Sequence, residues 1–121
     1  MADPVVQVLD AVVELTDTLL DELAALVRIP SVSGTDAEND AQAHVAARFA
    51  DAGLEVDHWP IDLAALTADP DFPGMEVDRS EAWGLVGRLP GAGDGPTLML
   101  NGHIDVVPVG DPDMWAAPPY S

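Results

Sequence analysis

The sequence predicts an α/β fold, with two helices followed by three strands of a mixed sheet. Three observations carry that reading. Apolar residues recur at helical spacing through the first 52 positions, three short apolar or alternating runs follow, and glycine- and proline-rich stretches separate those runs.

Asp3 and Pro4 form a helix start, with the aspartate as N-cap and proline at the first helical position. Val5, Val8, Leu9, Val12, Leu19, Leu20, Leu23, Leu26 and Val27 follow at mostly helical spacing, and Asp10, Glu14, Asp17 and Asp21 mark a wet face. One helix is therefore expected from Pro4 to Arg28, stopped by Pro30. Residues 31–36, SVSGTD, form a polar loop. No G-x-S-x-G elbow surrounds its serines, so they are expected to supply loop hydrogen bonds or a cap rather than a nucleophile. Thr35 and Glu38 have capping-box spacing, Ala41, Val45, Phe49 and Ala52 make the stripe of a second helix, and Gly53 ends it. His44 flanks that stripe with no partner in ligand spacing and is expected at the surface or its boundary.

Residues 54–61 alternate Leu54, Val56 and His58 against Glu55, Asp57 and Trp59, the pattern of a half-exposed strand, which Pro60 ends or confines to a sheet edge. His58 is expected on the strand surface. Asp62 caps a short helical turn. In the irregular segment 68–80, four carboxylates suggest a calcium loop, but Pro73 and Ser80 stand at the third and twelfth ligand positions and exclude it. Residues 82–89 and 97–103 complete the expected sheet. The turn PGAGDGP between them makes a hairpin the simplest arrangement.

With 121 residues the chain can form one domain with a modest core, and 48 % hydrophobic residues exclude general disorder. No cysteine is present, so disulfide frameworks and thiolate metal sites are excluded. Twenty-two carboxylates face four arginines and no lysine, for a formal net charge of −18. Such a surface repels nucleic acid and anionic membranes, and neither is expected as a partner. No apolar run is long enough to cross a bilayer, and the acidic N-terminal stretch lacks the positive flank of a signal peptide; a cytoplasmic location is expected.

Chemistry concentrates in residues 97–108, TLMLNGHIDVVP. Leu98, Met99 and Leu100 suit a strand buried on both faces, and functional groups in open α/β sheets gather beyond the carboxyl ends of strands. His103 and Asp105 emerge there. Neutral imidazole is a common zinc ligand, and a nearby carboxylate can take the proton of its other nitrogen and set ring and tautomer. On the three-residue spacing alone, two polar residues at an exposed turn is the favoured reading, because short matches recur by chance.

Three longer stretches raise that weight: LVRIPSVSG at 26–34, AGLEV at 52–56, and LNGHIDVVPVGDPDMWAAPPYS at 100–121. In these the chain resembles the N-terminal part of the zinc-dependent amidohydrolases and peptidases that include acetylornithine deacetylase, succinyl-diaminopimelate desuccinylase, aminoacylase and glutamate carboxypeptidase. The resemblance implies the N-terminal part of a zinc-peptidase-like catalytic domain across residues 1–121, cut after the His-x-Asp loop and without the dimerisation domain. It implies that His103 binds one metal of a two-metal zinc site, with cobalt possible, and that Asp105 orients His103 as part of the catalytic machinery. Two such metals activate water against an amide carbonyl. The implied substrate is a small N-acyl amino acid or peptide, with a homodimer only in the complete enzyme.

By the same resemblance, the bridging aspartate, the base glutamate and the remaining ligands lie beyond Ser121, so the chain is expected to be inactive alone. The alternative is a non-catalytic acidic interaction module in which His103 is structural. An independent mononuclear metal-binding domain is the weakest of the three readings.

Overall fold

The computed structural model describes residues 3–121. Its elements are α1 (Pro4–Glu14), α2 (Thr16–Val27), α3 (Asp36–Asp51), β1 (Glu55–Pro60), α4 (Leu63–Ala68) and β2 (Trp83–Arg88), with a 3-10 turn at Pro112–Met114. The Asp3 cap forms as the sequence suggests: its carboxylate accepts from the Val5 amide at 2.9 Å, and Pro4 stands inside the first turn.

The expected single N-terminal helix is broken at Leu15. The Leu15 and Leu19 amides still reach Ala11 and Leu15, so the hydrogen-bonded path continues across the break. The physical cause lies beside it. The Thr16 hydroxyl donates to the Val12 carbonyl at 3.3 Å, a back-bond that competes with the ladder and bends helices.

The middle of the chain is a helix on a two-stranded sheet. β1 and β2 are antiparallel, in register from Glu55 opposite Arg88 to Pro60 opposite Trp83. α3 packs on both strands. Gly87 makes that approach possible: a Cβ there would stand 2.5 Å from Phe49 Cδ2 and 2.7 Å from Leu54 Cδ2. Gly84 similarly leaves room for the Trp59 indole directly across the strand pair. His58 lies over Trp83 with ring centroids 4.7 Å apart, half-buried rather than on the strand surface.

Among the described residues the sheet has two strands, not three, and the expected hairpin between 82–89 and 97–103 does not form. Residues 97–103 hold no ladder partner. Leu98, Met99 and Leu100 are 80 to 86 % exposed, the opposite of a strand buried on both faces. An apolar run becomes a strand only where another strand accepts its backbone groups; here β1 takes the pairing of β2, and 97–100 are left without a partner strand. The apolar stripe of α1 is likewise open, with Val5, Val8, Leu9 and Val12 at least half exposed. Only Ala41, Ala82 and Ser31 are buried among the described residues. Among the described residues no helix is long and apolar enough to cross a membrane.

The tight packing of α3 on β2 yields a prediction. Gly87→Ala should cost about 1–3 kcal/mol by overpacking, although alanine suits a strand better than glycine. Gly93→Ala, where nothing lies within 4 Å of the added carbon, should be neutral. Urea unfolding of the two variants decides, and equal midpoints would contradict the packing described.

Candidate functional site

His103 and Asp105 are brought together, on extended chain rather than at the end of a paired strand. The imidazole Nδ1 lies 3.0 Å from Asp105 Oδ1 and 3.0 Å from the Asp105 carbonyl oxygen. Both partners are acceptors, so Nδ1 carries the hydrogen and donates it. In the neutral ring, Nε2 then keeps its lone pair. The His103 side chain is 86 % exposed and that of Asp105 33 %, so the free nitrogen faces solvent while the carboxylate is sheltered.

The shelter comes from the other end of the sequence. Val32 and Val106 form a parallel bridge, in which the Val106 amide donates to Ser31 O at 2.9 Å and the Ser33 amide to Val106 O at 3.1 Å. Two hydroxyls complete the clamp. Ser31, 2 % exposed, donates from Oγ to Ile104 O at 2.8 Å, and Ser33 donates from Oγ to Asp105 Oδ2 at 2.6 Å. The two oxygens of Asp105 are therefore divided, one accepting from Ser33 and one from His103.

This arrangement fixes the charge on Asp105. The Ser33 hydrogen bond is the main cause holding its carboxyl below the usual carboxylate range, with the His103 hydrogen bond adding to it and partial burial opposing. The ionised form is thus favoured in the folded chain, as an acceptor for Nδ1–H requires.

The serines were expected to serve the loop or the next helix, and this partnership with residues more than 70 positions away was missed. The available signal was the S-x-S alternation, which turns both hydroxyls to one side of an extended segment. The expected capping box is also rearranged. Thr35 Oγ1 donates back to Val32 O at 2.6 Å, while Glu38 accepts from the Gly34 amide instead of that of Thr35. His44 and His58 stand apart from the pair. Among the described residues no three His, Cys, Asp or Glu side chains are grouped to hold a metal ion, so His103 offers one donor and not a complete site. An open, mainly apolar cavity of ≈ 480 Å³ adjoins the pair, lined in part by Leu26, Ile29, Ile104, Val107, Trp115 and Tyr120.

Comparison with known proteins finds similar sequences of one name. Three curated relatives are each named succinyl-diaminopimelate desuccinylase. The one from Methylobacterium sp. (strain 4-46) is 38 % identical over 96 residues, covering 79 % of this chain and 20 % of the relative. That from Leptothrix cholodnii is 36 % identical over 105 residues, covering 87 % and 22 %. That from Pseudomonas fluorescens is 32 % identical over 96 residues, covering 79 % and 20 %. No family model matches the chain. The chain is thus similar to part of the succinyl-diaminopimelate desuccinylases, and it spans about a fifth of their length.

The site generates a prediction with a definite sign. In Ser33→Ala the Asp105 carboxyl should titrate at a higher pH than in the parent, as read from its carbon resonance. A lowered carboxyl pKa stabilises the fold above the ordinary carboxylate range, and that contribution is lost as pH falls through the lowered value. Ser33→Ala should therefore cost about 1 kcal/mol near neutral pH, reduced from the usual charged hydrogen bond by partial exposure, and progressively less in acid. An unchanged Asp105 titration would contradict the bond.

Proposed function

We propose that these residues form part of the catalytic domain of a metal-dependent hydrolase that cleaves the amide bond of a small N-acyl amino acid or peptide. The deacetylase and desuccinylase type is the reading favoured. The observation that supports it most is the His103–Asp105 pair, with Nδ1 engaged by a carboxylate and Nε2 open, in a chain whose curated relatives are named desuccinylases.

The donors present fit one corner of a metal site. A neutral imidazole with an unprotonated, exposed Nε2 is the form that binds zinc or cobalt, and a carboxylate on the other nitrogen holds that form. His103 would be the ligand and Asp105 the residue that sets its ring and tautomer. A bound metal pair would supply polarisation of the amide carbonyl and a nucleophilic water near neutral pH.

The contribution of this chain's own residues is positional. Asp105 keeps the proton on Nδ1, Ser33 holds the other carboxylate oxygen and favours its ionised form, and Ser31 with the Val32–Val106 bridge holds the backbone between them. The apolar cavity beside the pair has the size of a small-molecule site. The excess of carboxylates argues against nucleic acid and anionic membrane as partners. A homodimer is proposed only for the complete enzyme, and the cytoplasm for its location.

Because the described residues group no complete metal site, the chain alone should not turn over N-acyl amino acids. Substituted for the matching residues of the Methylobacterium desuccinylase, it should restore succinyl-diaminopimelate hydrolysis. In that chimera His103→Ala should lose metal and activity, and Asp105→Asn should keep more metal yet lose about 10- to 100-fold in turnover. A folded, zinc-loaded chimera without turnover, or a His103→Ala chimera as active as its parent, would contradict the reading.

A further inference from the structure

Of the four arginines, Arg79 alone makes an ion pair largely withdrawn from water. Arg79 Nη1 lies 2.6 Å from Glu38 Oε1, with the two side chains only 21 % and 17 % exposed, whereas the other Arg–carboxylate pairs lie between 38 % and 71 %. Screening weakens exposed pairs far more than sheltered ones. The second oxygen of the same Glu38 carboxylate accepts from the Gly34 amide at 2.6 Å. One carboxylate thus joins the segment carrying Arg79 to the loop carrying Ser31 and Ser33.

Shape reinforces the junction. Gly34 has φ +79°, and a Cβ there would stand 2.8 Å from Val77 Cγ2 and 3.0 Å from the Asp78 carbonyl oxygen. The turn at 34 is therefore seated directly on 77–78, and Arg79 follows one residue later. Ser33, adjacent to the turn, donates its amide to Val106 O and its hydroxyl to Asp105 Oδ2. From Arg79 the contacts run without a gap through Glu38, Gly34, Ser33 and Asp105 to His103 Nδ1.

We infer that Arg79 is a positioning residue for the His103–Asp105 pair, acting through Glu38 and the 33–34 turn; the inference rests on the pair being the functional centre proposed above. The irregular segment 69–80, which follows α4 and holds no element of its own, then has a purpose. It braces the serine loop from behind, so that the Ser33 hydroxyl stays on one carboxylate oxygen and leaves the other for the imidazole. Losing the Arg79 charge frees Glu38 to follow solvent, and the turn it holds loosens with it. Contiguity of contacts is necessary for such coupling, and a double-mutant comparison supplies its proof.

The test uses this chain, labelled with ¹⁵N in its histidines, at about pH 8, where an ordinary imidazole is neutral. In the parent the His103 nitrogen shifts should report Nδ1–H. Arg79→Gln should shift them toward the Nε2–H form, Arg79→Lys should retain the parent pattern, and Ser33→Ala should shift them at least as far. The double variant Arg79→Gln/Ser33→Ala should add nothing to Ser33→Ala. A fall in thermal stability of Arg79→Gln with the His103 tautomer unchanged would overturn the inference, leaving Arg79 a prop for the fold alone. Should Arg79→Gln not fold, Glu38→Gln keeps the side-chain shape and must produce the same shift; an unchanged tautomer there overturns it equally. The metal content of the desuccinylase chimera separates the two readings, because a His103→Ala chimera that keeps all of its zinc would contradict the proposed function without touching the tautomer result.

Discussion

The hydrogen bond from Ser33 Oγ to Asp105 Oδ2, at 2.6 Å, is the contact on which the arrangement of the site depends. Bonds from a hydroxyl to an ionised carboxylate are short and stronger than neutral ones. This one joins segments 72 positions apart, and without it the Asp105 side chain is left with His103, two residues along the same segment, as its remaining hydrogen-bond partner. Its partners on either side follow from it. The ionised carboxylate is favoured further, its free oxygen accepts Nδ1–H, and the remaining nitrogen of His103 is left open toward solvent.

Around that contact the chain is unevenly built. α3 on the β1–β2 pair is a close-packed unit in which two glycines admit aromatic rings. The stripe of α1 and the run at 98–100 are instead exposed. A chain with 22 carboxylates and four arginines stays apart through charge, yet the same repulsion opposes compaction. Few cations are available to relieve it. That one of the four is drawn into a sheltered pair with Glu38 marks the junction beneath the serine loop as a place where geometry outweighs hydration.

Much of this was legible in the residues themselves, and what was not has physical reasons. The Asp3 cap, the course of α3 and the strand at 55–60 follow from local rules, because their determinants lie within a turn or a few residues. The closeness of His103 and Asp105 follows from their spacing. The break at Leu15 was hidden because a threonine hydroxyl can either face water or bond back to the helix, and sequence does not distinguish them. The third strand failed because apolar character states only that a segment would pair if a partner were offered. The Ser33–Asp105 and Arg79–Glu38 contacts, 72 and 41 residues apart, are tertiary, and no local pattern encodes their partners.

The central claim is that the serine loop clamps the segment bearing His103 and Asp105. Amide hydrogen exchange tests it most directly, because the clamp is made partly of backbone bonds and exchange rates report local opening. The Ser33 and Val106 amides, which donate to Val106 O and Ser31 O, should exchange markedly more slowly than those of Leu98, Met99 and Leu100 on the unpaired run just before them. Equal, fast exchange at Ser33, Val106 and 98–100 would show that the clamp does not persist in solution and would contradict the account.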